Sequence, residues 1–317
     1  MQDHLAIVME DIDPVALAWL RERCGVVECG LGCGGGFDAA LQDADAMVVR
    51  TYTRVDGGLL ERAPRLRVVG RAGVGLDNID VEACRARGVE VVHTPDANTQ
   101  AVVEYVLALL FDLLRPRARL TSALALPEWN RLRRSLVAPR QLGDMRLGII
   151  GLGRVGGRLA RAAVGLGVGV VYHDIVEVPE ERRQGARSVE LEELLSCSDI
   201  VSVHVDARPG NRHFLHAGRL SMMKEDAVLV NTSRGFVVDA GGLAGLLRAR
   251  PATVAVMDVH EPEPFGAAHP LLACENARLY PHLGAATATA HTAMSWVVKD
   301  VWRVLSGETA EWPAPRQ

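Results

Sequence analysis

Short apolar segments alternate with stretches of helical periodicity along most of the chain. In the first hundred residues the segments 4–9, 46–50, 66–71 and 89–93 have the length and composition of buried strands. Later segments of the same kind lie at 147–150, 168–172, 199–205, 227–231, 253–259 and 277–280. Because helical stretches separate these segments, the pattern predicts parallel sheets covered by helices.

A long apolar stretch follows the first four predicted strands. Residues 102–114 are apolar nearly all round a helix that Asn98 could cap, so we expect this helix to be buried between domains or subunits. A last helix, 287–305, follows the final strand, and we expect it to return to the first group of strands. The predicted domains are therefore residues 1–98 together with 286–317, and residues 99–285.

A glycine-rich sequence opens the second group of strands. In LGIIGLGRVGGRL (147–159), Gly151 and Gly153 would let the backbone turn tightly and approach a pyrophosphate, and Gly156 would let the next helix pack closely. That helix N-terminus attracts phosphate. Asp174 ends the following strand, where a carboxylate binds a ribose 2′-OH and repels a 2′-phosphate. The pattern predicts bound NAD rather than NADP.

Composition limits the remaining classes of function. A chain of 317 residues with 49% hydrophobic residues and net charge −4 can fill two domains. No basic patch with interleaved aromatic residues points to nucleic acid, and the apolar run 101–114 is too short and too interrupted to span a membrane. The N-terminus has no leader pattern, so we expect a cytoplasmic protein. Cys24, Cys29 and Cys33 lack metal-ligand spacing and are expected to be reduced thiols, with no metal bound.

Three side chains that could take part in a reaction follow predicted strands of one sheet. They are Arg234 in NTSRG, Glu263 in DVHEPEP and His282 in YPHLG. The planar arginine fork suits a small carboxylate. A histidine hydrogen-bonded to a glutamate can accept a hydroxyl proton as a hydride leaves. The alternatives are a surface ion pair for the arginine and a partly buried structural role for the histidine.

Seven segments in a fixed order resemble the D-isomer-specific 2-hydroxyacid dehydrogenases. They are VVRTYTRV (48–55), VVGRAGVGLDNID (68–80), HTPDANTQAVVEYVLAL (93–109), LGIIGLGRVG (147–156), LVNTSRGFVVD (229–239), MDVHEPEP (257–264) and PHLGAAT (281–287). The resemblance implies two Rossmann-like, doubly wound parallel-sheet α/β domains with the active site in the cleft between them. The first, flavodoxin-like domain would bind substrate and the second NAD. The resemblance also implies a homodimer, formed through the nucleotide domain.

The resemblance assigns expected roles to individual residues. Arg234, Glu263 and His282 would be catalytic, Asp174 would bind the adenosine ribose and Asp258 the nicotinamide carboxamide. The rest of the expected cofactor site comprises Gly151, Gly153, Arg154, Val155, Gly156, Val205, Thr232 and Ser233. The substrate carboxylate would be bound by Arg234 and by the backbone amides of Gly73, Val74 and Gly75.

Within the family, RTYTRV and GRAGVGLDNID are most similar to D-3-phosphoglycerate dehydrogenases. Arg50 would then contact a substrate that is anionic at its far end. If Arg50 and Arg54 are instead solvated or paired with acids, a glyoxylate or hydroxypyruvate reductase is the better interpretation. The chain ends at Gln317, so we expect no regulatory domain and no feedback by serine.

Two features leave alternatives open. The segment HVDARPGNRHFL (204–215) replaces the proline and threonines usual in the family, so the roles of Asp206 and Arg208 are undecided. DVHEPEPF and NRHFL also resemble the C-terminal binding proteins, NAD-dependent corepressors built on the same fold. Those proteins have an aromatic residue soon after the histidine, whereas this chain has LGAA at 283–286. We therefore favour an enzyme.

Overall fold

The structure, a computed structural model, describes residues 4–30 and 35–315. Cys33 lies outside the described residues, whereas Cys24 is a buried free thiol. The chain divides into two compact units, residues 1–98 with 285–317 and residues 99–284. Each unit contains one parallel sheet, which confirms the predicted fold class. No helix of the described ranges has both the length and the apolar character that crossing a membrane requires.

The described strands and helices are as follows. The strands are β1 (Leu5–Val8), β2 (Gly25–Glu28), β3 (Ala46–Val49), β4 (Val68–Arg71), β5 (Glu90–His93), β6 (Arg146–Ile150), β7 (Gly169–His173), β8 (Arg187–Ser188), β9 (Ile200–Val203), β10 (Val228–Asn231), β11 (Val254–Met257) and β12 (Ala277–Leu279). The α-helices are α1 (Pro14–Arg21), α2 (Gly35–Asp43), α3 (Gly57–Glu61), α4 (Val81–Ala86), α5 (Thr99–Leu114), α6 (Leu126–Ser135), α7 (Arg154–Gly165), α8 (Leu191–Cys197), α9 (Ala217–Leu220), α10 (Ala240–Ala249), α11 (Ala288–Ser295) and α12 (Val297–Leu305).

The first unit is built on a sheet of order β2-β1-β3-β4-β5, with every pair of strands parallel. The aliphatic side chains of β3 are fully buried, as expected for a strand covered on both faces. Helix α12 packs directly on β4, because a Cβ atom at Gly70 would lie only 2.4 Å from Val301 Cγ2. The C-terminal segment therefore belongs to the core of this unit.

The second unit has a sheet of order β12-β11-β10-β9-β6-β7-β8, again with all strands parallel. The chain runs from β6 through β7 to β8 on one side, and then continues from β9 to β12 on the other. The loops after β6 and β9 therefore diverge at the carboxyl ends of adjacent strands. Such a switch point is where ligands bind in open α/β sheets.

Three elements of the structure were not among the predicted segments, and one predicted helix is wrong. The weak strand β2 is half-exposed and β8 has only two exposed residues, so neither shows a buried apolar pattern. Helix α6 buries none of its residues, and its apolar residues Leu126, Trp129 and Leu132 are too few to mark it as a core helix. The predicted single helix 287–305 is wrong, because Trp296, with φ −68° and ψ 2°, separates α11 from α12.

Candidate active site

The loop that follows β10 carries Arg234 and is shaped by a buried asparagine. Asn231 Oδ1 accepts hydrogen bonds from the Ser233 N–H at 3.0 Å and from the Ser233 hydroxyl at 2.8 Å, and its Nδ2 donates to the Arg234 carbonyl at 2.9 Å. A Cβ atom at Gly235 would lie 2.0 Å from the His260 carbonyl carbon. Glycine is therefore required, since the loop after β10 packs against the loop after β11.

Glu263 and His282 form a hydrogen-bonded pair. His282 Nδ1 lies 2.7 Å from Glu263 Oε2, and Glu263 Oε1 accepts the His260 backbone N–H at 2.7 Å. Burial by itself would raise the pKa of Glu263, but the hydrogen bonds from His282 and His260 outweigh it and lower the pKa. Because an ionised carboxylate can only accept, Nδ1 carries the proton and Nε2 is left for a substrate.

Asp258, at the end of β11, holds the turn that contains His282. It is 1% exposed. Its carboxylate accepts the N–H groups of Leu283 and Gly284, each at 2.8 Å, and the Tyr105 hydroxyl at 3.1 Å. Burial raises the pKa of Asp258 despite these hydrogen bonds. Oδ2 accepts one of the three, so it retains capacity for a further donor such as a carboxamide.

The glycine fingerprint turns sharply between β6 and α7. Gly151 has φ +91°, and a Cβ atom there would lie 2.7 Å from the His204 carbonyl oxygen. At Gly156 a Cβ atom would lie 2.1 Å from the Gly151 oxygen, so both positions require glycine. Asp174 Oδ2 accepts the Leu152 N–H at 2.7 Å and thereby fixes the first turn of the loop.

The segment after β9 is held by two ion pairs, one within the segment and one to the loop after β11. Val205 lies beside the fingerprint, since its nitrogen would be 3.3 Å from a Cβ atom at Gly151. Asp206 accepts from Arg208 Nε at 2.7 Å and Nη2 at 2.6 Å. Arg212 forms a similar two-bond pair with Glu261, at 2.9 and 2.5 Å. The two arginines are therefore neutralised by carboxylates of their own unit.

In the first unit, Arg50 follows β3. Its guanidinium donates to the Asp11 carbonyl at 3.1 Å, and in residues 4–30 and 35–315 it forms no ion pair. Arg54 differs, because it is 83% exposed and its Nε lies 3.8 Å from Asp56 Oδ2. Arg50 is therefore not paired with an acid of the described residues, whereas Arg54 lies beside one.

The loop after β4 contains the predicted carboxylate-binding amides. Gly73, at φ +151°, donates its N–H to the Arg71 carbonyl at 2.8 Å. The N–H groups of Val74 and Gly75 make no backbone or side-chain hydrogen bond within the described part of the chain. Two of the three predicted amides are therefore available to a ligand.

Arg71, which the sequence analysis did not single out, covers this loop. A Cβ atom at Gly73 would overlap the Arg71 guanidinium, at 1.2 Å from Nη1. Glu10 and Asn231 were also missed. All three residues lie at or next to the carboxyl end of a strand, which is the signal that identified Arg234, Glu263 and His282.

Comparison with known proteins identifies the family. Residues 107–284 match the family described as D-isomer specific 2-hydroxyacid dehydrogenase, NAD binding domain. The chain belongs to the D-isomer-specific 2-hydroxyacid dehydrogenases. The resemblance seen in the sequence is thereby confirmed, and so is the prediction of an NAD-dependent oxidoreductase.

Three relatives of this dehydrogenase carry different substrate names. The glyoxylate reductase of Aeropyrum pernix is 38% identical over 264 residues, covering 82% of this chain and 79% of the relative. The (S)-sulfolactate dehydrogenase of Chromohalobacter salexigens is 37% identical over 307 residues, covering 93% and 96%. The D-3-phosphoglycerate dehydrogenase of Methanocaldococcus jannaschii is 36% identical over 275 residues, covering 86% of this chain and 52% of the relative. The dehydrogenase thus spans about half the length of that phosphoglycerate dehydrogenase.

Solved structures with the same fold cover nearly the whole chain. A protein from Thermus thermophilus has a TM-score of 0.82 and 32% identity, covering 98% of this chain and 100% of its own. The D-lactate dehydrogenase of Aquifex aeolicus, solved with NAD and lactic acid, has a TM-score of 0.79 and 25% identity, covering 96% of each chain.

The residues of the dehydrogenase fit NAD, its cofactor. A Cβ atom at Gly153 would meet no protein atom within 4 Å, so the backbone at the start of α7 is open to a ligand. Arg154 and Val155 begin that helix, whose free N–H groups favour a pyrophosphate. The Thr232 hydroxyl, just past β10, is buried without a partner among the described residues. A bound cofactor would supply the missing partner.

Proposed function

We propose that this dehydrogenase interconverts a D-2-hydroxyacid and its 2-oxoacid, with a second anionic group at the far end of the substrate, as in 3-phosphoglycerate. The observation that carries the proposal is Arg50. Its guanidinium binds a backbone carbonyl and no carboxylate in the described residues, so its charge is available to a distal anion.

The proposed chemistry uses His282 and Glu263. In oxidation, His282 Nε2 accepts the proton of the C2 hydroxyl while the hydride leaves C2, and the Glu263 carboxylate stabilises the imidazolium that forms. In reduction, the same nitrogen returns the proton to the carbonyl oxygen. NAD supplies the hydride acceptor and NADH the hydride donor.

The proposed carboxylate site combines a side chain with backbone donors. Arg234 would form two hydrogen bonds to the substrate carboxylate, and the N–H groups of Val74 and Gly75 would supply further donors. The proposed cofactor contacts are those of the fingerprint together with Asp174, Val205, Thr232, Ser233 and Asp258. We assign no cofactor contact to Asp206 and Arg208, which are hydrogen-bonded to each other.

Two relatives support an anionic distal group. D-3-phosphoglycerate carries a phosphate at C3, and sulfolactate carries a sulfonate there. The sulfonate-bearing carbon outranks the carboxylate in the naming rules, so (S)-sulfolactate has the spatial arrangement of a D-2-hydroxyacid. A glyoxylate or hydroxypyruvate reductase is the second candidate, since the Aeropyrum pernix relative is named for glyoxylate.

The test is NADH oxidation with 3-phosphohydroxypyruvate, 3-sulfopyruvate, hydroxypyruvate and glyoxylate. We expect the kcat/KM of one of the two compounds with a distal anion to exceed that of hydroxypyruvate by at least about tenfold. Arg50→Ala should abolish that preference, whereas the control Arg54→Ala, at an exposed residue beside Asp56, should retain it. If hydroxypyruvate or glyoxylate is turned over as well as the compounds with a distal anion, the proposed distal-anion site is contradicted. The assignment as a dehydrogenase would stand.

A further inference from the structure

One carboxylate collects four consecutive backbone N–H groups in the first unit. Glu10 follows β1, and it accepts the N–H groups of Arg50 at 3.0 Å, Thr51 at 2.8 Å, Tyr52 at 3.1 Å and Thr53 at 3.0 Å. Successive N–H groups that point to one place form an anion-binding concavity of the backbone. In this structure the Glu10 carboxylate fills it.

Polar contacts rather than apolar packing hold this loop. Tyr52 is 87% exposed, so its ring contributes little burial. Asn78 Nδ2 donates to the carbonyls of Arg50 at 3.2 Å and Thr53 at 2.7 Å. Glu10 thus fixes the N–H groups of residues 50–53 and Asn78 fixes carbonyls at both ends. Hydrogen bonds to a charged acceptor are stronger than neutral ones, so the larger part of this restraint lies with Glu10.

The charge of Glu10 is compensated by the backbone, not by Arg50. Burial by itself would raise the pKa of Glu10, but the four backbone hydrogen bonds outweigh it and lower the pKa. The carboxylate is therefore ionised at neutral pH. Because the N–H groups satisfy it, the Arg50 guanidinium can point elsewhere, and it donates to the Asp11 carbonyl at 3.1 Å.

We propose that Glu10 is a positioning residue that gives the enzyme its selectivity for a substrate with a distal anion. By fixing the backbone of residues 50–53, it holds Arg50 in one orientation, in which no carboxylate of the described residues pairs with its positive charge. Glu10 touches neither the reacting atoms nor, in this account, the substrate. The inference rests on the proposed distal-anion function, and it assigns to Glu10 a role that acts only through Arg50.

The test replaces a carboxylate with an amide at two acidic residues, each of which accepts hydrogen bonds from backbone N–H groups. Glu10→Gln removes the charge that accepts the four N–H groups. The matched control is Asp56→Asn, which weakens the bond from the Leu59 N–H at 3.1 Å and removes the negative charge beside Arg54. The measured quantity is the ratio of kcat/KM for the preferred anionic oxoacid to that for hydroxypyruvate.

We expect Glu10→Gln to lower that ratio by about tenfold, mainly through KM of the anionic compound, while kcat for hydroxypyruvate stays within about twofold. Glu10→Asp keeps the charge and should restore part of the ratio. Asp56→Asn should leave it within about twofold. In an Arg50→Ala background, Glu10→Gln should change the ratio by less than about twofold, because the residue through which it acts is gone.

Hydrogen exchange of residues 50–53 provides an independent measurement. Faster exchange in Glu10→Gln is expected, and exchange equal to wild type would overturn the inference. A wild-type enzyme without preference for a distal anion would contradict the proposed function itself. A wild-type preference that Glu10→Gln retains would contradict only the role of Glu10. Should Glu10→Gln fail to fold, the Glu10→Asp variant decides by the same ratio and the same exchange measurement.

Discussion

The hydrogen bond between His282 and Glu263 fixes which imidazole nitrogen carries a proton. Since Nδ1 donates to the carboxylate at 2.7 Å, removal of the ring should remove the proton acceptor without touching the glycine fingerprint. We predict that His282→Ala lowers kcat by roughly two to four orders of magnitude and leaves NADH binding nearly unchanged. Stopped-flow turnover and NADH fluorescence titration measure the two quantities.

Glu263→Gln provides the companion measurement. A neutral amide stabilises the charged imidazole less well, so reduction of the oxoacid should require a lower pH than in wild type. Since the pKa of Glu263 is lowered, its carboxylate is ionised near neutral pH in the wild-type protein. Wild-type activity in both variants would show that these residues are not the acid and base.

Asp174 governs the choice of cofactor in this account. Its carboxylate lies at the end of β7 and accepts the N–H groups of Leu152 and Val176, so it stays fixed beside the fingerprint. We predict tighter binding of NAD(H) than of NADP(H), measured by calorimetry. Asp174→Ala should reduce that preference by about 1–3 kcal/mol. Equal or tighter binding of NADP(H) by the wild-type protein would refute this assignment.

Residue types and strand ends were sufficient to find Arg234, Glu263 and His282 in the sequence. The hydrogen bond between Glu263 and His282 was expected as well, but the contacts that hold the surrounding loops were not predictable in the same way. Asp258 was expected to bind the carboxamide, whereas the contacts seen in the structure are with the N–H groups of Leu283 and Gly284, next to His282. Glu10 lies 40 residues from its first partner, and sequence periodicity carries no information about such long-range polar contacts.

At the scale of elements, Asp199 joins the amino ends of several strands in the second unit. It is 8% exposed, and it accepts from the Arg146 N–H at 2.7 Å, from Arg140 at 3.0 Å and from Lys224 at 3.1 Å. Burial by itself would raise its pKa, but these hydrogen bonds lower it. Asp199→Asn should therefore lower the free energy of unfolding by about 2–3 kcal/mol near neutral pH.

The pH dependence checks the same interaction. A carboxylate with a lowered pKa stabilises the fold above its unfolded pKa, and this contribution is lost as the pH falls through the folded value. Urea unfolding should show a smaller loss of stability on acidification in Asp199→Asn than in wild type. An identical acid dependence in both proteins would contradict the structural role of this ion pair.

Buried strands were the elements most accurately predicted from the sequence. Strands β3, β9 and β10 lie within the predicted segments, because strands buried on both faces are mostly apolar. Ser202 in β9 and Asn231 in β10 are buried polar exceptions. Exposed elements such as β8 and α6 leave no such pattern. The break at Trp296 was also not predictable, since the apolar periodicity continues across it.

For the whole molecule, we predict a homodimer formed through the second unit. Helix α5 leaves Phe111 36% exposed, and α6 exposes Leu126 by 71% and Trp129 by 43%. A second copy packed on these helices would cover the three apolar side chains. Light scattering at micromolar concentration should give twice the chain mass, and Phe111→Glu with Leu126→Glu should shift it towards the monomer. A monomeric wild-type protein would overturn the prediction.

The configuration of the product tests the account most directly. The purified protein is incubated with NADH and 3-phosphohydroxypyruvate, 3-sulfopyruvate or hydroxypyruvate, and the hydroxyacids formed are separated by chiral chromatography. A D-specific dehydrogenase acting through His282 should give only the D-2-hydroxyacid, and His282→Ala should form almost none. Formation of the L-enantiomer or of a racemate would contradict the account, as would a failure to reduce any 2-oxoacid while NADH binds.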